Sequence, residues 1–289
     1  MRRHVRSTLT VRPSEGTRMV LAVAAADAEG MERVSERLDV RTPAGRLPVR
    51  EVQDHHGGRL HVVDVPVSFA ESSGAIGWED DDESPTVAEA GFSSEPPEPG
   101  TVRVDYACIV AGREAEPVGD EADLIRYVRP SRYAESDKLY PLAASLFRDV
   151  GGMDLLHAVE QWVNANLRYV PGFSRGTDGA VDAFLSRQGV CRDFAHLVVA
   201  LLRARNVPAR VVAGYAPGLR PMDFHAVAEA WMDGQWHPLD ATRLSDTGAL
   251  VRVSTGADSS DTAFLSTVRG GLFLDRISVD AMLADSQPV

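Results

Sequence analysis

One helix-to-hairpin run, residues 189–242, constrains the fold more than any other part of the chain. After Cys191 the apolar side chains fall at Phe194, Leu197, Val198, Leu201 and Leu202. That spacing is the i, i+3, i+4, i+7, i+8 stripe of an amphipathic helix. Cys191 stands three places before Phe194, so its thiol opens the first turn on the apolar face. Gly189 is a turn residue just ahead of it, and Pro208 predicts that the helix stops near Arg205 and Asn206. Residues 210–215 then read as a buried strand, and 216–223, with Pro217, Gly218 and Pro221, as a loop. Residues 225–232 alternate as a strand, with His225, Val227, Glu229 and Trp231 on one face and Ala226, Ala228, Ala230 and Met232 on the other. Asp233-Gly234 is a two-residue hairpin signal, with 235–240 as the return strand.

The hairpin fixes a geometry. With Asp233-Gly234 as the turn, Met232 pairs with Gln235 and Trp231 with Trp236. Extending that register sets Val227 opposite Asp240, with His225 diagonal to Asp240 on the same face. Diagonal neighbours stand about 7–8 Å apart at the backbone, within reach of longer side chains. A one-residue slip would send the two to opposite faces. A helix N-terminus offers unpaired N–H groups and partial positive charge, which favour a thiolate and can stabilise an oxyanion. Cys191, His225 and Asp240 thus read as nucleophile, base and orienting carboxylate. Cys191 attacks an amide or ester carbonyl to form an acyl-thioester. His225 handles the proton, and Asp240 accepts from the other ring nitrogen. Water then gives hydrolysis, and an amine gives transamidation. His196 lies five places past Cys191, about 140° around the helix, and should face away from the thiol. His237 alternates onto the face opposite Asp240.

These motifs resemble the transglutaminase-like superfamily, in its bacterial branch of cysteine-protease-like proteins. The matching pieces are Gly-Val-Cys-Arg-Asp-Phe-Ala-His from Gly189, Asn206-Val207-Pro208-Ala209-Arg210, Gly214-Tyr215, Asp223-Phe224-His225-Ala226 and Leu239-Asp240-Ala241-Thr242. The resemblance implies an α+β, papain-like core in which a nucleophile-bearing helix packs on an antiparallel sheet. It maps the catalytic cysteine, histidine and aspartate onto Cys191, His225 and Asp240, with a protein or peptide as substrate. It does not imply crosslinking, so hydrolysis of peptide or side-chain amides is expected ahead of it. No feature demands a cofactor or a metal. The competing expectation is a catalytically idle fold of the same family serving as a protein-binding module, which a thiol of ordinary reactivity would mark.

The chain's 289 residues suit one large or two moderate domains. A net charge of −12 argues against nucleic acid and anionic membranes as partners. No apolar run reaches the roughly 18 residues of a membrane helix. The charged start and the short apolar run at 19–26 read as a strand rather than a secretory leader, so the expected location is cytoplasmic. Cys108 and Cys191 are the two cysteines, and pairing them would consume the nucleophile.

Residues 1–115 read as a β-rich domain, a small sandwich or barrel, with strands near 5–12, 18–24, 59–67 and 101–111. Val102, Val104, Tyr106, Cys108 and Val110 alternate, which makes Cys108 a core thiol. Residues 116–150 read as a connecting segment and 151–289 as the catalytic domain. That domain carries helices near 153–167 and 177–187, after a short one at 141–147. Late strands near 249–254 and 269–281 are expected to pack back on its sheet. The acidic run at 79–83 lacks the spaced ligands and glycine of a calcium loop and reads as a solvated loop. His55, His56 and His61 lack an established ligand spacing and read as a surface turn. Trp162 and Tyr169 read as core or rim.

Overall fold

The computed structural model describes residues 1–67, 92, 95–115 and 119–284. The acidic run at 79–83 lies outside them. In chain order the strands are β1 (Arg2–Pro13), β2 (Arg18–Leu21), β3 (Met31–Thr42), β4 (Gly45–Arg46), β5 (Arg50–Gln53), β6 (Arg59–Asp64) and β7 (Val102–Gly112). Four helices follow, α1 (Glu121–Tyr127), α2 (Ser136–Leu146), α3 (Gly152–Asn166) and α4 (Ala180–Ser186), with β8 (Arg168–Tyr169) before the last. Next come β9 (Gln188–Gly189), α5 (Cys191–Arg203), β10 (Ala209–Tyr215), β11 (Phe224–Met232) and β12 (Gln235–Leu239). The chain closes with β13 (Val251–Gly256), α6 (Ser259–Thr262), β14 (Leu265–Arg269) and β15 (Leu272–Ala284). These elements form two compact units, one of Met1–Arg113, Pro217–Asp223 and Phe264–Val289, the other of Glu114–Ala216 and Phe224–Ala263.

The first unit holds two antiparallel sheets, ordered β15-β1-β7-β3-β4 and β14-β2-β6-β5. β1 alternates strictly, burying Arg3, Val5, Ser7, Leu9 and Val11, the period of two that a half-buried strand requires. Each buried valine or leucine contributes about 1.5–3 kcal/mol. On β7 the buried Tyr106 hydroxyl donates to Glu36 at 2.7 Å and accepts from the Ala25 N–H at 2.7 Å. Cys108 is a core thiol on the same strand, and burial pushes it up to about 11.

Three expectations change here. β3 carries Glu32, Arg33, Glu36, Arg37, Asp39 and Arg41, and this polarity hides its strand period. Its ladder with β7 and ion pairs such as Arg59–Glu36 at 2.7 Å hold it in place. The late strand expected to pack on the catalytic sheet instead pairs with β1, Ala281 with Val5 and Ile277 with Leu9. Its apolar side chains match the buried face of β1, and nothing in their alternation marks which sheet will receive them. The expected helix at 141–147 is longer, beginning at Ser136, with Pro141 inside it.

The second unit is a sheet ordered β12-β11-β10-β13, antiparallel throughout. α5 packs on β10 and β11 and is flanked by α2, α3 and α4. Its residues from Asp193 to Arg203 are all buried. Leu197, Val198 and Leu201 meet Leu156, Val159, Ala228 and Ala230 in one core. Truncating a leucine there costs about 2–5 kcal/mol. α5 ends at Arg203, one residue past the last of its apolar stripe and just short of the end expected from Pro208. Asn206 then takes a left-handed φ of 59°, a common way to stop a helix. Among the described residues no helix is long and apolar enough to cross a membrane.

Candidate active site

Cys191 sits where β9 hands over to α5. The parallel pair β8–β9 aligns Tyr169 with Gly189 just before the turn. Val190 is extended, with φ −110° and ψ −179°, so the helix begins abruptly at Cys191. Asp193, in the first turn, reaches back to accept from the Val190 N–H at 2.7 Å, as N3 carboxylates do. Its other oxygen accepts from the Ser174 hydroxyl at 2.8 Å. Burial raises the Asp193 carboxyl, and those two hydrogen bonds oppose the rise. Gly189 is required by space, since a Cβ there would stand 2.6 Å from the Asp193 Cβ. Arg192 ties the loop before α4 to this turn, donating to the Ser174 hydroxyl and the Arg175 carbonyl, both at 2.6 Å. The first-turn N–H groups of Cys191 and Arg192 have no intrahelical acceptor. The half-buried thiol lies 3.9 Å from the carbonyl of Phe224, next to His225.

His225 and Asp240 meet as the hairpin register requires. Asp233 and Gly234 have φ of 50° and 85°, the two positive values of a type I′ turn. Met232 pairs with Gln235, Trp231 with Trp236 and Ala228 with Leu239. Asp240 is the first residue past that ladder. His225 Nε2 lies 2.9 Å from Asp240 Oδ2, and both residues are buried. Nδ1 is buried with no other partner among the described residues, so it is the nitrogen left for Cys191. Burial alone would push the imidazole down. The hydrogen bond to Asp240 and the proximity of Cys191 outweigh burial and push it up to about 9. Burial would likewise raise Asp240, but His225, Thr242 and Ser245 hold it at about 2.

Thr242 and Ser245 were not visible as site residues in the sequence. Asp240 Oδ1 accepts from the Thr242 N–H at 3.0 Å and from its hydroxyl at 2.5 Å. Oδ2 accepts from the Ser245 N–H at 3.2 Å and its hydroxyl at 2.7 Å. With His225 added, every lone-pair direction of the carboxylate is engaged. The only sequence signal is short hydroxyl residues two and five places after an aspartate, the pattern of side-chain-to-backbone turns.

The other histidines stand apart from the thiol. His196 is fully buried on α5, stacked on Tyr133 at 5.6 Å between ring centroids, and accepts from the Ser259 N–H at 3.1 Å. Burial holds it neutral, down to about 3. His237 Nε2 lies 3.0 Å from the Met232 carbonyl. His55 and His56 sit in a short 3-10 turn, and His61 bonds Glu51 at 3.2 Å. Among the described residues no three histidine, cysteine, aspartate or glutamate side chains gather as a metal site. Trp162 packs on Phe184, and Tyr169 on Phe194. The arrangement can hold a thiolate against an imidazolium that a buried carboxylate keeps charged.

Residues 148–241 match the family model described as the Transglutaminase-like superfamily. An uncharacterized protein of Mycobacterium leprae is 31% identical over 122 residues, 39% of this chain and 44% of that protein. A protein-glutamine gamma-glutamyltransferase of Pseudomonas aeruginosa is 42% identical over 80 residues, 23% of this chain and 12% of that protein. The chain thus spans less than half the length of these curated relatives. A crystal structure described as "a Putative Cysteine Protease from Cytophaga hutchinsonii" is similar along all of this chain and 92% of its own, with a TM-score of 0.80 and 29% identity.

Proposed function

From a chain whose residues 148–241 are a transglutaminase-like domain, we propose a cysteine-dependent acyl enzyme that hydrolyses peptide or side-chain amides through Cys191, His225 and Asp240. The observation that carries this reading is the buried 2.9 Å His225–Asp240 contact whose free ring nitrogen is left for Cys191. His225 takes the thiol proton, and the thiolate bonds to the substrate carbonyl carbon. The C–N bond breaks, and the amine leaves with the proton from His225. Water then attacks the thioester, His225 again takes the proton, and the carboxylic acid departs as the thiol is restored. The unpaired N–H groups of the first α5 turn face the developing oxyanion. Hydrolysis is favoured over transfer to an amine because the full-length likeness is to the cysteine-protease-like structure, whereas the glutamyltransferase matches 23% of the chain. The substrate is a protein or peptide.

The test is iodoacetamide alkylation of Cys191 at pH 6.5, in wild type and His225→Ala, followed by peptide mapping. Cys108 is buried and serves as an internal control. Wild type is expected to react at Cys191 at least about tenfold faster than His225→Ala, the effect of one pKa unit. Equal rates at an accessible thiol would remove the acyl-enzyme reading and leave a binding module.

A further inference from the structure

Asp240 has to hold a position to within a fraction of an ångström, yet it lies outside the sheet. The β11–β12 ladder ends at the Ala228–Leu239 pair. From Asp240 to the start of β13 the chain has no strand partner. Asp240 and Ala241 are both buried, so their backbone polar groups cannot turn to water. A buried group left without a partner costs about 1–3 kcal/mol.

Helix α3 meets both demands. Asn164 Nδ2 donates to the Ala241 carbonyl at 2.8 Å. Glu160, half-buried, has its carboxyl near the backbone N–H of Asp240, which lowers it against the rise that burial causes. The two are four places apart, hence on one face of the helix. Asn164 bonds the chain just past the Asp240 Cα, and Glu160 stands near its N–H side. Thr242 and Ser245 aim the carboxylate, but they belong to the same short loop and cannot fix where that loop sits. α3 can, because Leu156, Val159 and Val163 anchor it in the core with α5, the helix that presents Cys191.

We propose that Glu160 and Asn164 are positioning residues that set the distance between Asp240 and His225, and through it the charge state of the imidazole. This rests on the acyl-enzyme reading above. Neither residue carries a sequence signal for the role, since each looks like a polar position on an amphipathic helix.

The test variant is Asn164→Leu, close in shape and neutral for neutral. A change at His225 then cannot come from an altered charge. Two readings are taken, the His225 titration midpoint by NMR and the Cys191 alkylation rate at pH 6.5. The midpoint is expected to fall by about one unit and the rate by about tenfold. A purely structural contact would move the melting temperature and leave both readings in place, and that result overturns the proposal. Reaction at Cys108 reports unfolding; in that event the same readings on Asn164→Ala, again neutral for neutral, decide, with the same expected falls. His225→Ala is run beside them. A thiol indifferent to His225→Ala removes the acyl-enzyme reading, whereas a thiol that needs His225 but ignores both α3 variants removes only the positioning role.

Discussion

Two buried ionisable side chains stand four residues apart on one face of β11, and they are treated in opposite ways. Glu229 is closed on every side. It accepts from Arg210 at 2.8 Å and from Arg252 at 2.6 Å, and Arg252 also bonds Glu114 at 2.8 Å. The Arg210 guanidinium lies 3.9 Å above the Trp236 ring. Burial would raise Glu229, but the two arginines hold it at about 2. His225 is matched on one side only, by Asp240, and keeps Nδ1 for the thiol. Glu229 has a guanidinium on each carboxylate oxygen, whereas His225 keeps one ring nitrogen open.

Removing Glu229 should break the contrast most. Glu229→Ala leaves two buried guanidinium groups without their shared counter-charge, and about 3–5 kcal/mol of stability should be lost in denaturant unfolding. Cys191 alkylation in the protein that remains folded should keep its wild-type rate. A slower thiol there would show that the two clusters act as one. Asp240→Asn comes next. It removes the charge that favours the imidazolium, worth one to two pKa units and so about 10- to 100-fold in alkylation at pH 6.5. Its cost should appear chiefly in the rate, with a smaller loss in cooperative unfolding than Glu229→Ala gives.

The pH dependence of stability sharpens the comparison. His225 is raised in the folded state, to about 9. Its contribution is complete below the unfolded value of about 6.5 and fades as pH rises toward 9. Glu229 and Asp240, both at about 2, contribute above the ordinary carboxylate range and are lost as pH falls toward 2. His196, held down to about 3, adds to the acid-side loss because only the unfolded chain takes its proton between 6.5 and 3. Unfolding free energies from pH 6 to 9.5 should therefore decline in wild type and flatten in His225→Ala, while the acid limb keeps the Glu229 and His196 contributions and loses part of that of Asp240. The smallest effect is expected for His196→Phe. It keeps the stack on Tyr133 but leaves the Ser259 N–H without its acceptor, at a cost of about 1 kcal/mol, with no change at Cys191.

The part of the site that was legible in the sequence owed this to local rules. Asp233-Gly234 permits one tight turn, the turn fixes the register, and the register brings His225 and Asp240 together. The apolar stripe after Cys191 placed the thiol at a helix start in the same way. Thr242, Ser245, Glu160 and Asn164 lay beyond such rules, because past Leu239 no repeating pattern dictates where a side chain points. β15 was legible as a strand but not in its pairing, since its alternation suits any sheet with a free edge and a matching buried face. β3 was hidden because its stability comes from neighbouring strands and ion pairs rather than from its own apolar side chains.

The pairing of β1 with β15 also bears on how the chain comes to be folded. Pro13 pairs with Leu272, so one flank of β1 waits for roughly 260 further residues to be made. At about 5–20 residues per second of synthesis, that is roughly 13–50 s. Late in that interval, once Arg203 has been made, all of the helix bearing Cys191 has been synthesised, while the five-stranded sheet still lacks its outer strand. Nascent chains arrested before Leu272 should accordingly be cut within β1 by a brief protease pulse, and chains arrested well past Ala284 should resist it.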